Sequence, residues 1–277
     1  MATLDELIQE DGFRAYQGRV STGFGELDEL TGGLLPGALW LVLATPGTGR
    51  TILSTQLALN AARGSMTRTT LVLGRESAQV AVLNILCQVS GLSSRVVQAA
   101  AQSLTDETRI SEARALLQDA PMSIWSHSDV VGVSDAGDPR HVDFISSLDL
   151  WRTESRVMVI DDADDLADLL CLGHEALPDR LARLRSQARA RGLTIILTMP
   201  EEDLVVADQV QPRVRRETDV VLRLIRPDQV DPASIRSGEA DLVLLQNRTG
   251  PTGACTVVFQ GDRRRFMSLD SATVAFA

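Results

Sequence analysis

One eight-residue segment constrains the fold of this chain most: Ala44-Thr45-Pro46-Gly47-Thr48-Gly49-Arg50-Thr51. It lies between an apolar run over residues 39–43 and an apolar-rich stretch with helical character over residues 52–62. A glycine-rich loop between a buried strand and a helix lets backbone N–H groups surround a phosphate at the helix N-terminus. The segment therefore predicts a P-loop, in which the final hydroxyl, that of Thr51, ligates Mg²⁺.

Two positions depart from the P-loop pattern G-x-x-x-x-G-K-[ST]. Ala44 occupies the place of the first glycine, and Arg50 the place of the lysine that reaches the β- and γ-phosphates. Arginine keeps the positive charge but presents a wide planar fork in place of a compact ammonium. Nucleotide binding is compatible with this change, whereas fast hydrolysis is less compatible with it. A turn without a ligand is the alternative. The expected nucleotide contacts are Thr45, Pro46, Gly47, Thr48, Gly49, Arg50, Thr51 and Ile52.

A carboxylate follows another apolar run downstream of the loop. Residues 157–160 are apolar, and Asp161 comes directly after them. An apolar strand that ends in aspartate is how P-loop proteins place the Walker B carboxylate near Mg²⁺. Asp161 and Thr51 are therefore the candidate Mg²⁺ ligands. The other nearby acidic residues are better explained by a helix N-terminus that favours negative charge: Asp162, Asp164, Asp165 and Asp168.

Composition limits the class of protein. The 277 residues are 44% hydrophobic, enough for the core of one large domain. Twenty-seven basic against 37 acidic residues give a net charge of −10, the wrong sign for a free-standing non-specific nucleic-acid binder, although a ring with a locally basic channel stays open. No apolar run approaches the ~20 residues of a membrane span, and the N-terminus lacks a signal-peptide pattern. We therefore expect a cytoplasmic protein without a membrane partner.

Strand-like and helix-like segments alternate along the chain. The expected strands cover residues 39–43, 69–74, 122–125, 157–161, 193–198, 218–225, 240–246 and 256–260. This alternation predicts an α/β fold: a mainly parallel, twisted sheet with helices on both faces, closed by a C-terminal antiparallel hairpin. We expect residues 1–20 to form a polar lead segment and residues 21–277 to form one domain.

Motifs near both ends of the chain resemble the C-terminal RecA-like ATPase domain of DnaB-type replicative helicases. The similarity covers roughly residues 21–269. Its first motif runs from Ser21-Thr22-Gly23-Phe24 to Pro36-Gly37, and its last is Gln246-Asn247-Arg248-Thr249-Gly250-Pro251-Thr252-Gly253. Two such motifs in the correct order are far more specific than a lone P-loop, and they identify the fold as that of a RecA-like P-loop NTPase.

The resemblance implies roles for two further residues. Glu76 matches the catalytic glutamate that polarises the attacking water, and we expect its strand to lie beside the P-loop strand. Arg248 matches the arginine finger that reaches the γ-phosphate of a neighbouring subunit. The resemblance also implies ATP and Mg²⁺ as ligands, a homo-oligomeric ring, here a hexamer, and single-stranded DNA as a partner.

Several departures from the family pattern fall where they would weaken catalysis. Besides Arg50, Gln246 replaces a second cation beside the finger, and Met199 replaces a polar γ-phosphate sensor. The loss of one preorganised contact costs roughly 10²–10³ in rate. Three functions stay open. They are an ATP-binding helicase-type domain with weakened hydrolysis, acting in DNA replication or repair; a silent nucleotide-binding or scaffold protein; and a RecA- or KaiC-type ATPase, which accounts less well for the Arg248 motif.

Overall fold

A nine-stranded sheet organises the protein. The structure is a computed structural model, and it describes residues 18–99, 102–126, 155–163, 176–202, 204–206 and 208–269. The order of the strands across the sheet is β11-β10-β9-β8-β1-β5-β4-β2-β3. They are β1 (Leu39–Ala44), β2 (Thr69–Leu73), β3 (Met122–Ser126), β4 (Val157–Asp161), β5 (Thr194–Pro200), β8 (Val220–Ile225), β9 (Glu239–Asn247), β10 (Gly253–Gln260) and β11 (Arg265–Ser268). A separate two-stranded hairpin joins β6 (Val205–Val206) to β7 (Gln209–Val210).

The sheet is parallel in its larger part and antiparallel at one side. Strands β8, β1, β5, β4, β2 and β3 run parallel, whereas β9, β10 and β11 each pair antiparallel with the strand before them. Every residue of β1, β2 and β4 is buried, as is typical of parallel strands covered on both faces. Buried residues alternate with partly exposed ones along β9. The predicted mainly parallel sheet and C-terminal hairpin are confirmed.

The expected position of the strand before Glu76 is wrong. β2 pairs with β4 and β3, and both β4 and β5 lie between it and β1. Because these strands are all parallel, however, their carboxyl ends still meet at one edge of the sheet. Glu76, Asp161 and the P-loop therefore share that edge, although β1 and β2 are not neighbours.

Helices cover both faces of the sheet. They are α1 (Gly25–Thr31), α2 (Arg50–Gly64), α3 (Ala78–Ser90), α4 (Ser94–Val97), α5 (Leu104–Gln118), α6 (Leu177–Arg191), α7 (Pro212–Glu217) and α8 (Pro227–Val230). Successive residues of β1 point to opposite faces. Trp40 and Val42 therefore pack in the core that contains α2, and Leu41 packs in the core that contains α6. The short helices α4, α7 and α8 were not predicted.

Several sequence-based expectations concern parts of the chain outside the described residues. These are most of the lead segment and the acidic residues Asp164, Asp165 and Asp168. In the part of the chain that the structure does describe, every helix is too short or too polar to cross a membrane.

Candidate nucleotide site

The loop between β1 and α2 has the backbone of a phosphate cradle. Gly47 and Gly49 adopt φ values of 80° and 104°, a region that L side chains rarely enter. Helix α2 begins directly after Gly49, and that N-cap residue provides no side-chain hydrogen bond. The first N–H groups of α2 therefore point toward the loop without an internal partner, which is the arrangement that binds anions. Inside the loop, the buried Thr48 hydroxyl lies 3.1 Å from that of Thr45.

Aromatic residues of the C-terminal hairpin pack against this loop. A Cβ atom added to Gly49 would lie 3.1 Å from Phe266 Cζ and 3.3 Å from Phe259 Cε2. The two rings are 4.8 Å apart, and the guanidinium carbon of Arg226 lies 4.0 Å from the centroid of the Phe259 ring. This contact could not be predicted from the sequence, because it joins residues more than two hundred positions apart. Only the placement of β10 and β11 in the sheet reveals it.

The two predicted Mg²⁺ ligands, Thr51 and Asp161, lie together at the end of β4. Asp161 is 1% exposed, and its Oδ1 accepts hydrogen bonds from Ser54 Oγ at 2.9 Å and from Thr198 Oγ1 at 2.6 Å. Burial raises the pKa of Asp161, while hydrogen bonds from Thr198, Thr51 and Ser54 act in the opposite direction. Hydroxyl and carboxylate oxygens suit Mg²⁺, which takes few protein ligands and completes its shell with water and phosphate oxygens. Thr51 and Asp161 therefore fit a magnesium ion.

Arg50 forms an ion pair that the sequence analysis did not anticipate. Its Nη2 donates to Oδ1 of Asp162, and the two side chains are only 15% and 13% exposed. The Nε and Nη1 atoms of Arg50 are buried and have no hydrogen-bond partner among the described residues. The acidic pattern after β4 predicted a helix N-terminus at Asp162. In the structure it is instead the anionic partner of the residue that replaces the P-loop lysine.

A glycine brings the end of β2, two residues before the candidate catalytic glutamate, close to Asp161. The N–H of Gly74 donates to the carbonyl of Asp161 at 2.9 Å, and a Cβ atom at Gly74 would lie 2.7 Å from the carbonyl oxygen of Asp162. Only glycine allows β2 and β4 to approach this closely. Glu76 is half-buried and lies two residues beyond Gly74. The position of Glu76 at this edge thus depends on the backbone contact between Gly74 and Asp161.

Arg248 lies at the opposite edge of the sheet. Its neighbour Asn247 pairs with Val220, which pairs with Trp40 near the start of β1, whereas the P-loop follows the end of β1. The structure therefore does not bring Arg248 to the P-loop of its own chain. The side chain, 39% exposed, borders a cleft of about 850 Å³ between α7 and the β6–β7 hairpin.

The Arg248 guanidinium is held by groups at the end of α7. Its Nε donates to the carbonyl of Thr218 at 2.8 Å, and its Nη2 donates to the carbonyls of Arg215 and Arg216. Gln246 is buried beneath it and donates Nε2 to Arg215 at 3.0 Å and to Thr218 at 2.6 Å. Gln246 thus anchors the same chain segment. Met199 is also buried, in the core that faces α6.

Comparisons with known proteins agree with this architecture. A family model described as the DnaB-like helicase C terminal domain matches residues 19–134. The replicative DNA helicase DnaB of Leifsonia xyli subsp. xyli (strain CTCB07) is 27% identical over 267 residues, covering 90% of this chain and 56% of the relative. This chain thus spans little more than half the length of that curated relative.

Two solved structures share the fold. One, described as an ATPase domain, superposes with a TM-score of 0.77 at 17% identity, covering 97% of this chain and 99% of that one. A DnaB-like replicative helicase, solved in a study of its interactions with primase, gives a TM-score of 0.76 at 17% identity, covering 97% of this chain and 67% of that one. At these identities the likeness establishes the fold.

Proposed function

We propose that this chain, a DnaB-type C-terminal RecA-like domain by sequence and fold, binds ATP and Mg²⁺ at its P-loop edge and hydrolyses ATP slowly. The observation that carries the proposal is the meeting of three features at one sheet edge. They are the cradle formed by Gly47 and Gly49, the Nε and Nη1 atoms of Arg50, which have no partner among the described residues, and the Thr51–Asp161 pair. A protein that served only as a scaffold would have no need to place these three features at one site.

The residues at this edge have distinct roles. The first N–H groups of α2 and the guanidinium of Arg50 would hold the phosphates, and Thr51 and Asp161 would hold Mg²⁺. When bound, Mg²⁺ neutralises the charge that develops on the transferred phosphoryl group. Glu76 would accept a proton from the attacking water. Phe259 and Arg226, which lie beside the P-loop, would supply an apolar and a cationic surface to the rest of the nucleotide.

The position of Arg248 supports a proposal of ring assembly. An arginine at the edge opposite its own P-loop could stabilise transition-state charge only on a nucleotide held by a neighbouring subunit. We therefore propose a homo-oligomeric ring, a hexamer, in which each site combines Glu76 of one subunit with Arg248 of the next. Single-stranded DNA would pass through the centre of such a ring, in DNA replication or repair.

Three substitutions support slow hydrolysis. Arg50 replaces the compact lysine of the P-loop. Met199 is buried in the core that faces α6, and the side-chain amide of Gln246 donates hydrogen bonds to backbone carbonyls. Met199 and Gln246 lack the polar or cationic contact that their positions supply in the family, and Arg50 keeps the charge of the lysine but not its compact shape.

The test is ATP binding and turnover by the purified protein with Mg²⁺, with and without single-stranded DNA. Wild type is compared with Arg50→Lys and Glu76→Gln. We expect binding in all three proteins, slow turnover in wild type, faster turnover in Arg50→Lys, and none in Glu76→Gln. DNA-stimulated turnover would support the helicase-type role. Failure of all three proteins to bind nucleotide would refute the proposal.

The second candidate is a catalytically silent protein on the same fold, with nucleotide as a structural ligand or absent. The Arg50–Asp162 ion pair favours it, because an anion already contacts the cation that would serve the phosphates. Binding without turnover in wild type and in Arg50→Lys would identify this second function.

A further inference from the structure

An acidic side chain, that of Asp162, contacts the arginine that replaces the P-loop lysine. Arg50 occupies the position that serves the β- and γ-phosphates in a P-loop, and Asp162 contacts its guanidinium. Both side chains are largely buried, so the attraction between them is weakly screened by solvent. A carboxylate and a phosphate both bind arginine through oxygen atoms. Either anion can thus be bound by the same guanidinium.

Asp162 is held in place by its backbone. Its φ of 52° is in the left-handed region, which aspartate tolerates better than most residues. Its N–H donates to Thr198 Oγ1 at 3.1 Å, and the N–H of Ala163 donates to the Thr198 carbonyl at 3.0 Å. The turn after β4 is thus fixed to β5. The carboxylate is directed at Arg50 by this turn, not by a freely moving side chain.

The ion pair leaves Arg50 only partly satisfied. A guanidinium has five N–H donors, and Asp162 accepts from Nη2 while Nε and Nη1 have no partner among the described residues. Removing one partner of a buried ion pair is strongly destabilising, because it leaves an uncompensated charge. In the absence of nucleotide, Arg50 therefore depends on Asp162. With phosphate present, a second anion can take over that role.

We propose that Asp162 is a built-in competitor for the nucleotide phosphate, which holds Arg50 in the nucleotide-free protein and releases it when phosphate binds. This inference rests on the proposed nucleotide site. By linkage, an interaction that stabilises only the nucleotide-free state lowers nucleotide affinity by the same factor. Asp162 thus makes nucleotide binding weaker than the P-loop alone would allow, and the protein responds only to higher nucleotide concentrations.

The test is the dissociation constant for ADP and for ATP with Mg²⁺, together with the melting temperature of the nucleotide-free protein. Asp162→Asn removes the charge and keeps a residue that tolerates positive φ. We expect it to bind nucleotide roughly tenfold more tightly, a typical size for a coupling of this kind. The nucleotide-free variant should melt at a lower temperature than wild type. Asp162→Gly should change both quantities in the same directions.

Two comparisons isolate the effect. Asp208→Asn is the control, because Asp208 also has a positive φ, 60°, and pairs with an arginine other than Arg50, namely Arg223, which lies on β8 opposite Leu43. It should leave nucleotide affinity unchanged. In an Arg50→Ala background, Asp162→Asn should no longer tighten binding, since no guanidinium is left to compete for.

The outcomes separate this inference from the proposed function. Unchanged or weaker binding by Asp162→Asn, with wild type binding measurably, would overturn the competitor role and leave the nucleotide site intact. It would mean that Asp162 and phosphate share Arg50. No binding by wild type or by any variant would overturn the proposed function itself.

Discussion

Asp161 is a buried carboxylate that the fold surrounds with hydroxyl groups. Because burial raises its pKa, the folded protein binds the proton more tightly than the unfolded chain does. Such a group contributes stability that is complete below its ordinary pKa of 3.8 and is lost as pH rises through the raised value. At neutral pH the charged form is therefore a cost to the nucleotide-free protein. A bound Mg²⁺ ion would offset that cost.

Replacing Asp161 with Asn should therefore stabilise the nucleotide-free protein at pH 7 and abolish Mg²⁺-dependent nucleotide binding. The gain in the free energy of unfolding should shrink as the pH falls toward 3.8. Chemical denaturation over a series of pH values measures it. Asp241→Asn is the control with the opposite sign, because Arg236 holds the pKa of Asp241 below its ordinary value. That variant should lose stability at pH 7.

Thr198 links β5 to the two aspartates, Asp161 and Asp162, at the end of β4. Its hydroxyl donates to Asp161 and accepts from the N–H of Asp162, so the isosteric change Thr198→Val removes two hydrogen bonds. We expect a loss of about 1.5–3 kcal/mol in stability, the range for hydrogen bonds to charged groups. Magnesium affinity should fall by roughly tenfold or more, as for other residues that orient a metal ligand.

A substitution on the same strand provides the comparison. Thr194 is equally buried, and its hydroxyl donates to the Leu35 carbonyl at 2.7 Å, away from the aspartates. Thr194→Val should cost about 1 kcal/mol in stability and leave Mg²⁺ affinity unchanged. Titration of Mg²⁺ at saturating nucleotide distinguishes the two variants. Equal losses of Mg²⁺ affinity would show that Thr198 acts only through general stability.

At the scale of elements, the close approach of β2 to β4 depends on one glycine. An alanine at Gly74 would place Cβ 2.7 Å and 2.9 Å from two backbone carbonyl oxygens, and backbone cannot move aside as a flexible side chain can. We expect Gly74→Ala to cost about 1–3 kcal/mol, the range for overpacking. Turnover should also fall, by more than the loss of folded protein accounts for, because the end of β2 that precedes Glu76 would move away from Asp161.

Gly64→Ala is the matched control for this prediction. Gly64 is the last residue of α2, and an added Cβ atom would meet nothing within 4 Å. The variant should be neutral or slightly more stable. Denaturation midpoints and steady-state turnover of both variants are the measurements. A Gly74→Ala protein with normal turnover would show that Glu76 is not positioned through this contact.

The elements that the sequence predicted well are those specified by contiguous residues. The buried strands β1 and β4 and the start of α2 follow from apolar runs and from the glycines of the P-loop. Strand order is a different matter. The separation of β2 from β1 by two other strands, the pairing of Arg50 with Asp162, and the packing of Phe266 on Gly49 all depend on which strands become neighbours. Local periodicity carries no signal for that choice.

At the scale of the whole molecule, the two candidate catalytic residues lie at opposite edges of one sheet. Glu76 follows the carboxyl end of β2, and Arg248 lies beside the amino end of β8. Arg248 also binds the carbonyls at the end of α7, so its removal affects local structure as well as catalysis. Loss of turnover in Arg248→Ala alone would therefore not distinguish a catalytic role from a structural one. Mixed assemblies make that distinction.

Glu76→Gln and Arg248→Ala should each abolish turnover alone and recover part of it when mixed. In a mixed ring, a Glu76-containing site of one variant can face Arg248 of the other, and that interface has both groups. The mixture is prepared in whichever background, wild type or Arg50→Lys, hydrolyses ATP measurably. Mixing Glu76→Gln with the double variant Glu76→Gln/Arg248→Ala is the control, since no interface regains a glutamate. Recovery of turnover in the first mixture alone would show that Arg248 acts on the nucleotide of a neighbouring subunit. No recovery in either mixture would mean that Arg248 has a structural role only.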